Sequence, residues 1–168
     1  MKRVQTLAAG SIAVGLAVLA LKFLAWHLTG SVALLSDAIE SIVNVAAALA
    51  ALLAIWFAAQ PADANHPYGH HKAEYISAVV EGALIIVAAI AILHEAYRAH
   101  QKPRMGDAPW NGLALNGVAT LLNAIWCYVL IRQGRRHKSP ALVADGKHLF
   151  ADVVSSLVVF AGVTLAAL

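Results

Sequence analysis

The sequence predicts an all-α, polytopic membrane protein of about five transmembrane helices, and three observations carry that prediction. Of the 168 residues, 61% are hydrophobic and only 12% are charged, a composition outside the range of ordinary soluble domains. The mean hydropathy is +0.72. The apolar residues also fall into long stretches, each able to supply the ~20 residues that cross a bilayer, with short polar or basic segments between them.

The first span is expected over residues 4–26. Met1-Lys2-Arg3 ahead of an apolar run has the form of a secretory signal, but the run resumes past Lys22 and no small-residue cleavage site follows. It therefore reads as an uncleaved span. Lys22 and His27 sit towards its far end, where a lysine can snorkel to the interface, and Thr29-Gly30 makes a tight turn. The second span is placed at 32–59, uncharged from Val45 onward and with Trp56 near an interface. Gln60 to Lys72 is a polar loop. The third span, 75–96, buries Glu81, read as a partner for a basic or amide group, and a basic loop follows with Arg98, His100, Lys102 and Arg104. The fourth, 110–131, is punctuated by Asn111, Asn116 and Asn123 and leads into a second basic loop of Arg132, Arg135, Arg136 and Lys138. The fifth, 140–168, opens on Pro140, a residue favoured at the first helical position. His94, His100 and His137 fall at span ends and read as interfacial. Residues 1–168 thus form a single transmembrane domain.

The formal charge of +3 is modest and comes from short basic loops, so it offers no basis for nucleic-acid binding; membrane lipid is the implied surroundings. The single cysteine, Cys127, excludes an intramolecular disulfide and reads as packing. With the N-terminus in the cytoplasm, that side holds Lys2, Arg3, Lys72, Arg132, Arg135, Arg136 and Lys138, against Arg98, Lys102 and Arg104 opposite. The asymmetry favours this orientation, in an inner (cytoplasmic) membrane.

Two stretches stand out. Ser31 to Val45 places Asp37, Glu40 and Asn44 inside an apolar span, and Ser139 to Val153 places Asp145, His148 and Asp152 at the same spacing. Steps of three and four put each triplet on one helix face. Carboxylates in a span are costly and mark function by default. In the N-in topology the two stretches run in opposite directions, as inverted repeats that meet around a midplane site do. Glu40 and His148 would each lie about 13–15 Å deep at 1.5 Å per residue, near the middle of a hydrocarbon core of about 30 Å. Glu40, Asn44, His148 and Asp152 together offer two carboxylates, an amide oxygen and an imidazole. That set suits a divalent transition ion: zinc accepts nitrogen and oxygen ligands in tetrahedral geometry, and ferrous iron, cobalt and manganese also accept such mixtures. In the absence of an ion, His148 or a carboxylate would take up protons in its place. Asp37 and Asp145, nearer the surfaces, read as capping or helix-pairing groups. No hydroxyl or thiol nucleophile has a base beside it, so the chain does not read as an enzyme. The loop holding Asp63, His66, Pro67, Gly69, His70 and His71 is either a stiff solvated turn or a second metal-binding cluster.

These motifs resemble the cation diffusion facilitator (cation efflux) family of divalent-metal transporters. Ser31-Val-Ala-Leu-Leu-Ser-Asp-Ala-Ile-Glu40 is similar to its second-span signature, His66-Pro-Tyr-Gly-His70-His-Lys-Ala-Glu74 to its loop motif, and His148-Leu-Phe-Ala-Asp152 to its fifth-span motif. The resemblance implies that Glu40, Asn44, His148 and Asp152 are the transport site, and that Asp63, His66 and His70 fall where some members hold a second, cytoplasmic metal. It implies a homodimer that exports zinc or iron in exchange for protons, the metal being substrate and no organic cofactor being needed. The family's second-span pair is usually Asp or His followed by Asp; here Glu40 and Asn44 stand in those places. Members typically add a sixth helix and a cytoplasmic C-terminal domain, so the chain is expected to be a truncated form. Two other readings come from different classes. Eight histidines suit a haem-binding electron-transfer subunit with paired histidines on facing helices, which a Soret band would reveal. The abrupt end at Leu168 suits a non-transporting fragment of a larger transporter.

Overall fold

The computed structural model describes residues 2–30, 32–101 and 110–166, so Lys102 and Arg104 of the first basic loop lie outside the described residues. Five helices and no strand occupy the described residues: α1 (Lys2–Thr29), α2 (Val32–Ala58), α3 (Lys72–Gln101), α4 (Trp110–His137) and α5 (Pro140–Ala166). Among them, Lys2–Thr29, Leu34–Ala58 and Asn111–His137 are long and apolar enough to cross a membrane by length and composition. The two remaining helices, α3 and α5, carry Glu81 and the Asp145–Asp152 polar face respectively.

Local chemistry sets the helix ends. Gly30, at φ 65°, occupies the left-handed position that closes many helices, and its N–H bonds the Trp26 carbonyl at 2.7 Å. At the end of α4 the same role falls to Lys138, at φ 53°, and Ser139 N–H reaches back to the Gly134 carbonyl at 2.9 Å. Ser139 then caps α5 and Pro140 begins it, as expected. The structure corrects the loop boundaries. Arg98 and His100 are helical in α3, and Arg132, Arg135 and Arg136 lie in α4. Straight-chain basic residues are good helix formers, and at the end of α4 they oppose the helix dipole, so the helix runs past the hydrocarbon boundary.

Helices α1, α2, α5 and α4 form a ring in which each packs on the next, and α3 lies outside against the seam of α2 and α5. The bundle is apolar on its outer face, where Leu53, Val79, Leu121 and Val158 are exposed, and polar inside, where Lys22, Glu81, Asn116, Asn123, Asp145 and Asp152 are buried. This reversal is what lipid surroundings select. The apolar core gathers Val4 and Ala8 of α1, Ala51 and Ile55 of α2, Cys127 and Leu130 of α4, and Ala141, Leu142 and Leu149 of α5. It therefore sits at the end of the bundle that holds the N-terminus, the 59–71 loop and the α4–α5 turn. A bond from the Ser139 hydroxyl to the Glu74 carboxylate ties that turn to the start of α3.

Candidate metal centre

Beyond the apolar core, the interior of the bundle is a stack of polar groups. The first layer joins α1, α4 and α5. Ser11 donates to Asp145 Oδ2 at 2.7 Å, and Trp126 Nε1 donates to Ser11 Oγ at 2.9 Å. Asp145 thus acts in helix pairing. Glu81 of α3 takes its partner from its own helix, the Ser77 hydroxyl at 3.3 Å, rather than from the basic or amide group expected. A residue one turn away is always in reach, and α3, outside the ring, packs on α2 and α5.

The second layer joins α2 and α5. His148 Nε2 lies 2.7 Å from Asn44 Oδ1, both buried. One turn further along α5, an oxygen of Asp152 lies within 4.8 Å of carboxylate oxygens of both Asp37 and Glu40. Advancing on α2 from residue 40 to 44 means retreating on α5 from 152 to 148, so the two helices are antiparallel at the site. The pairing also obeys the repeat: exchanging Glu40 with His148 and Asn44 with Asp152 turns the first contact into the second. Of the four sequence-predicted residues, Asn44 meets His148 and Glu40 meets Asp152. The His148 imidazole is not part of the close three-carboxylate group, which takes in Asp37 instead.

Two residues in this layer were not foreseen. Lys22 does not snorkel: it is 1% exposed, and its ammonium lies 2.8 Å from Asp37 Oδ1 and 3.4 Å from Asp152 Oδ2. An ammonium in reach of two buried carboxylates is held by charge pairing more strongly than it is drawn along its stem to the interface. Asn123 of α4 donates to Asp152 Oδ2 at 2.6 Å. One signal in the chain points to both without deciding either. In a helical hairpin, residues equally far from the turn face each other. Lys22 and Asp37 flank Gly30 almost symmetrically, as Asn123 and Asp152 flank Lys138. Four buried atoms here have no hydrogen-bond partner: Asp37 Oδ2, Asn44 Nδ2, Asn123 Oδ1 and His148 Nδ1.

The loop between α2 and α3 brings its own predicted residues together. Asp63, His66 and His70 present ligand atoms all within 4.8 Å of one another. Asp63 Oδ1 accepts from the Asn65 N–H at 2.9 Å and the His66 N–H at 2.6 Å, closing a turn. The His66 Nδ1 lies 3.1 Å from Oδ1 and the His70 Nε2 3.4 Å from Oδ2. His70 is buried with its ring edge-on to Phe57. Desolvation, the largest single influence, pushes the Asp63 carboxyl up, but the bonds from His66 and Asn65 together outweigh it and hold it below the usual carboxylate value. Its contribution to the turn is therefore present above that usual value and lost as the pH falls towards the lowered one. Asp63→Asn should keep the turn, because an amide oxygen still accepts both N–H groups. On the reading of the loop as a second metal site, it should weaken zinc binding there by about 10–100-fold through loss of a charged donor. Titration of the purified protein with zinc against an unchanged helical signal checks this.

A bundle that is apolar outside and lined with carboxylate, amide and imidazole groups inside defines an integral membrane protein with a polar centre suited to cations. Residues 8–168 match the family model for the cation efflux transmembrane domain, and the chain belongs to the cation efflux family, whose members are transporters rather than enzymes. It is 48% identical over 155 residues to a Synechocystis protein described as the uncharacterized transporter sll1263, covering 92% of this chain and 50% of that protein. It is 32% identical over 151 residues to the cation-efflux pump FieF of Salmonella arizonae and 33% over 154 residues to that of Serratia proteamaculans. Each of those matches covers 90% of this chain and 50% of the pump. The chain therefore spans about half the length of the curated relatives it matches.

Proposed function

We propose that the protein exports a divalent transition metal, zinc or iron, across the inner membrane in exchange for protons, using Glu40, Asn44, His148 and Asp152 as the transport site. The observation that carries this reading is the double contact between antiparallel helices, Asn44 with His148 and Glu40 beside Asp152. In the first contact a ring nitrogen faces an amide oxygen, and one proton between them satisfies both. A divalent ion accepts the same two lone pairs at about 2.0–2.2 Å each, so metal and an Nε2 proton exclude each other; an imidazolium at His148 would give up its Nε2 proton as the metal enters and keep the one on Nδ1. The carboxylates of Glu40 and Asp152 supply the charge that makes an ion stable at mid-membrane, where a bare one is most costly.

Asp63, His66 and His70 form the second, cytoplasmic site in this reading, at the end of the bundle closed by the apolar core. The cytoplasmic N-terminus is supported by the basic-residue asymmetry, and the homodimer by the family likeness. The His148 nitrogen faces an amide rather than a second imidazole, which favours a metal ligand over a haem ligand at this position. The test is zinc and ferrous-ion flux in proteoliposomes under a proton gradient. His148→Ala should lower it by about 100-fold, the upper end of what losing a metal-site group costs. Flux unchanged in that variant would remove the site from between α2 and α5.

A further inference from the structure

We propose that Lys22 is a tethered cation that occupies the transport-site carboxylates when no metal is bound and competes with the metal for them. The inference rests on the reading of Asp152 as a metal ligand and goes beyond it, because nothing in that reading requires α1. Three carboxylates, Asp37, Glu40 and Asp152, bring ligand oxygens within 4.8 Å of one another in the bundle interior. Unpaired, such a group would be expelled or would swell with water. The Lys22 ammonium reaches two of its members, at 2.8 Å from Asp37 and 3.4 and 3.5 Å from the two oxygens of Asp152. It arrives from a different helix from those that supply the carboxylates, so it can withdraw without dismantling the α2–α5 contact.

The lone pairs that Asp152 points at Lys22 are the ones an ion would need. Asn123 already takes a further share of Oδ2 at 2.6 Å. Metal and ammonium therefore exclude each other at Asp152, by both charge and geometry. Asp37 is left holding the displaced ammonium: it is the nearer of the two partners, and its Oδ2 is buried without a hydrogen bond. Two consequences follow for transport. Competition by a cation that is always present weakens metal binding, which an exporter needs in order to release its cargo. The emptied site meanwhile keeps a counter-charge, so the protein can return across the cycle without a naked carboxylate cluster in the membrane.

The test is zinc binding to the purified full chain at one fixed pH and salt, on a His66→Ala, His70→Ala background that silences the loop. Lys22→Met, which keeps the bulk and removes the charge, should bind zinc about tenfold or more tightly, and its zinc release in vesicles should slow. Lys22→Arg keeps the charge and should stay close to the wild type. A merely structural lysine would give the opposite sign, since loosening the bundle weakens binding. Should Lys22→Met fold poorly, Lys22→Met/Asp37→Asn carries the test: its net charge equals that of the wild type, yet it should also bind more tightly. Equal or weaker binding in whichever of Lys22→Met and Lys22→Met/Asp37→Asn folds, with binding abolished by Asp152→Ala, would overturn the competition and leave the site intact. Zinc binding that survives Asp152→Ala would instead overturn the site on which the competition rests.

Discussion

Replacing Asp152 with alanine is expected to abolish metal flux, by at least about 100-fold, and to do so more completely than any other single change. Asp152 is the residue on which every element of the central layer converges. Its carboxylate lies beside Glu40 of α2, accepts from Asn123 of α4 at 2.6 Å, and faces Lys22 of α1 at 3.4 Å. Truncation removes the proposed ligand, leaves the Asn123 amide without its acceptor, and leaves Lys22 with Asp37 as its remaining ion-pair partner. Breaking one side of a buried pair costs about 3–5 kcal/mol, so some loss of thermal stability should accompany the loss of flux. Asp152→Asn separates the two effects. It retains an oxygen for Asn123 and nearly the same shape while removing the charge, so it should recover stability without recovering transport. Flux and melting temperature measured on the two variants check the prediction. An asparagine variant that transports normally would show that the charge of Asp152 is not used.

The second large effect is expected at Gly146, where a leucine should destabilise the bundle by about 1–3 kcal/mol. Helices α4 and α5 touch there through their backbones. A Cβ on Gly146 would stand 2.7 Å from Ile131 Cγ1 and 3.1 Å from the Ile131 backbone nitrogen. One on Gly134, across the same contact, would stand 2.9 Å from the backbone nitrogen of Val143. Side chains can swing aside but backbone cannot, so a larger residue must push the helices apart. Membrane helices commonly gain their close approach from small residues in this way, since lipid supplies no hydrophobic drive for association. Separation would also draw Asn123 away from Asp152, so metal affinity should fall along with stability. Gly82 on α3 is the control. A Cβ there meets nothing within 4 Å, and Gly82→Leu should be neutral or stabilising through its helix propensity. Resistance to detergent unfolding, measured side by side, reads the difference. Equal stability in the two leucine variants would show that the α4–α5 contact can relax.

That the four residues proposed for the transport site face the interior between α2 and α5 could be read from the chain, because this answers to a local rule. Spacings of three and four put Asp37, Glu40 and Asn44 on one face of their helix, and Asp145, His148 and Asp152 on one face of theirs. The cost of a carboxylate in lipid turns each such face inward. Lys22 illustrates the opposite case. Within its own span a lysine near one end has two acceptable fates, snorkelling or pairing, and nothing in α1 distinguishes them. The outcome depended on Asp37 and Asp152 lying opposite, which is a property of the packed bundle. The loop was intermediate. Asp63, His66 and His70 were legible as candidate ligands, but whether they converge turned on Asp63 closing the turn through the Asn65 and His66 amides.

By itself the sequence determined that the chain is helical, that it lies in a membrane, and that the polar faces of α2 and α5 turn to its interior. Hydropathy and helical periodicity act within a single segment, and lipid enforces them wherever the segment ends up. Only the tertiary structure decided which of those interior groups are partners: Asn44 with His148, Asp152 with Asn123, and Lys22 with Asp37. The physical reason is that an ion pair or hydrogen bond in a dry interior is fixed by distances of about 3 Å. Those distances are set by how closely helices approach and how they are registered, a matter of small residues and turns far along the chain from the groups they bring together.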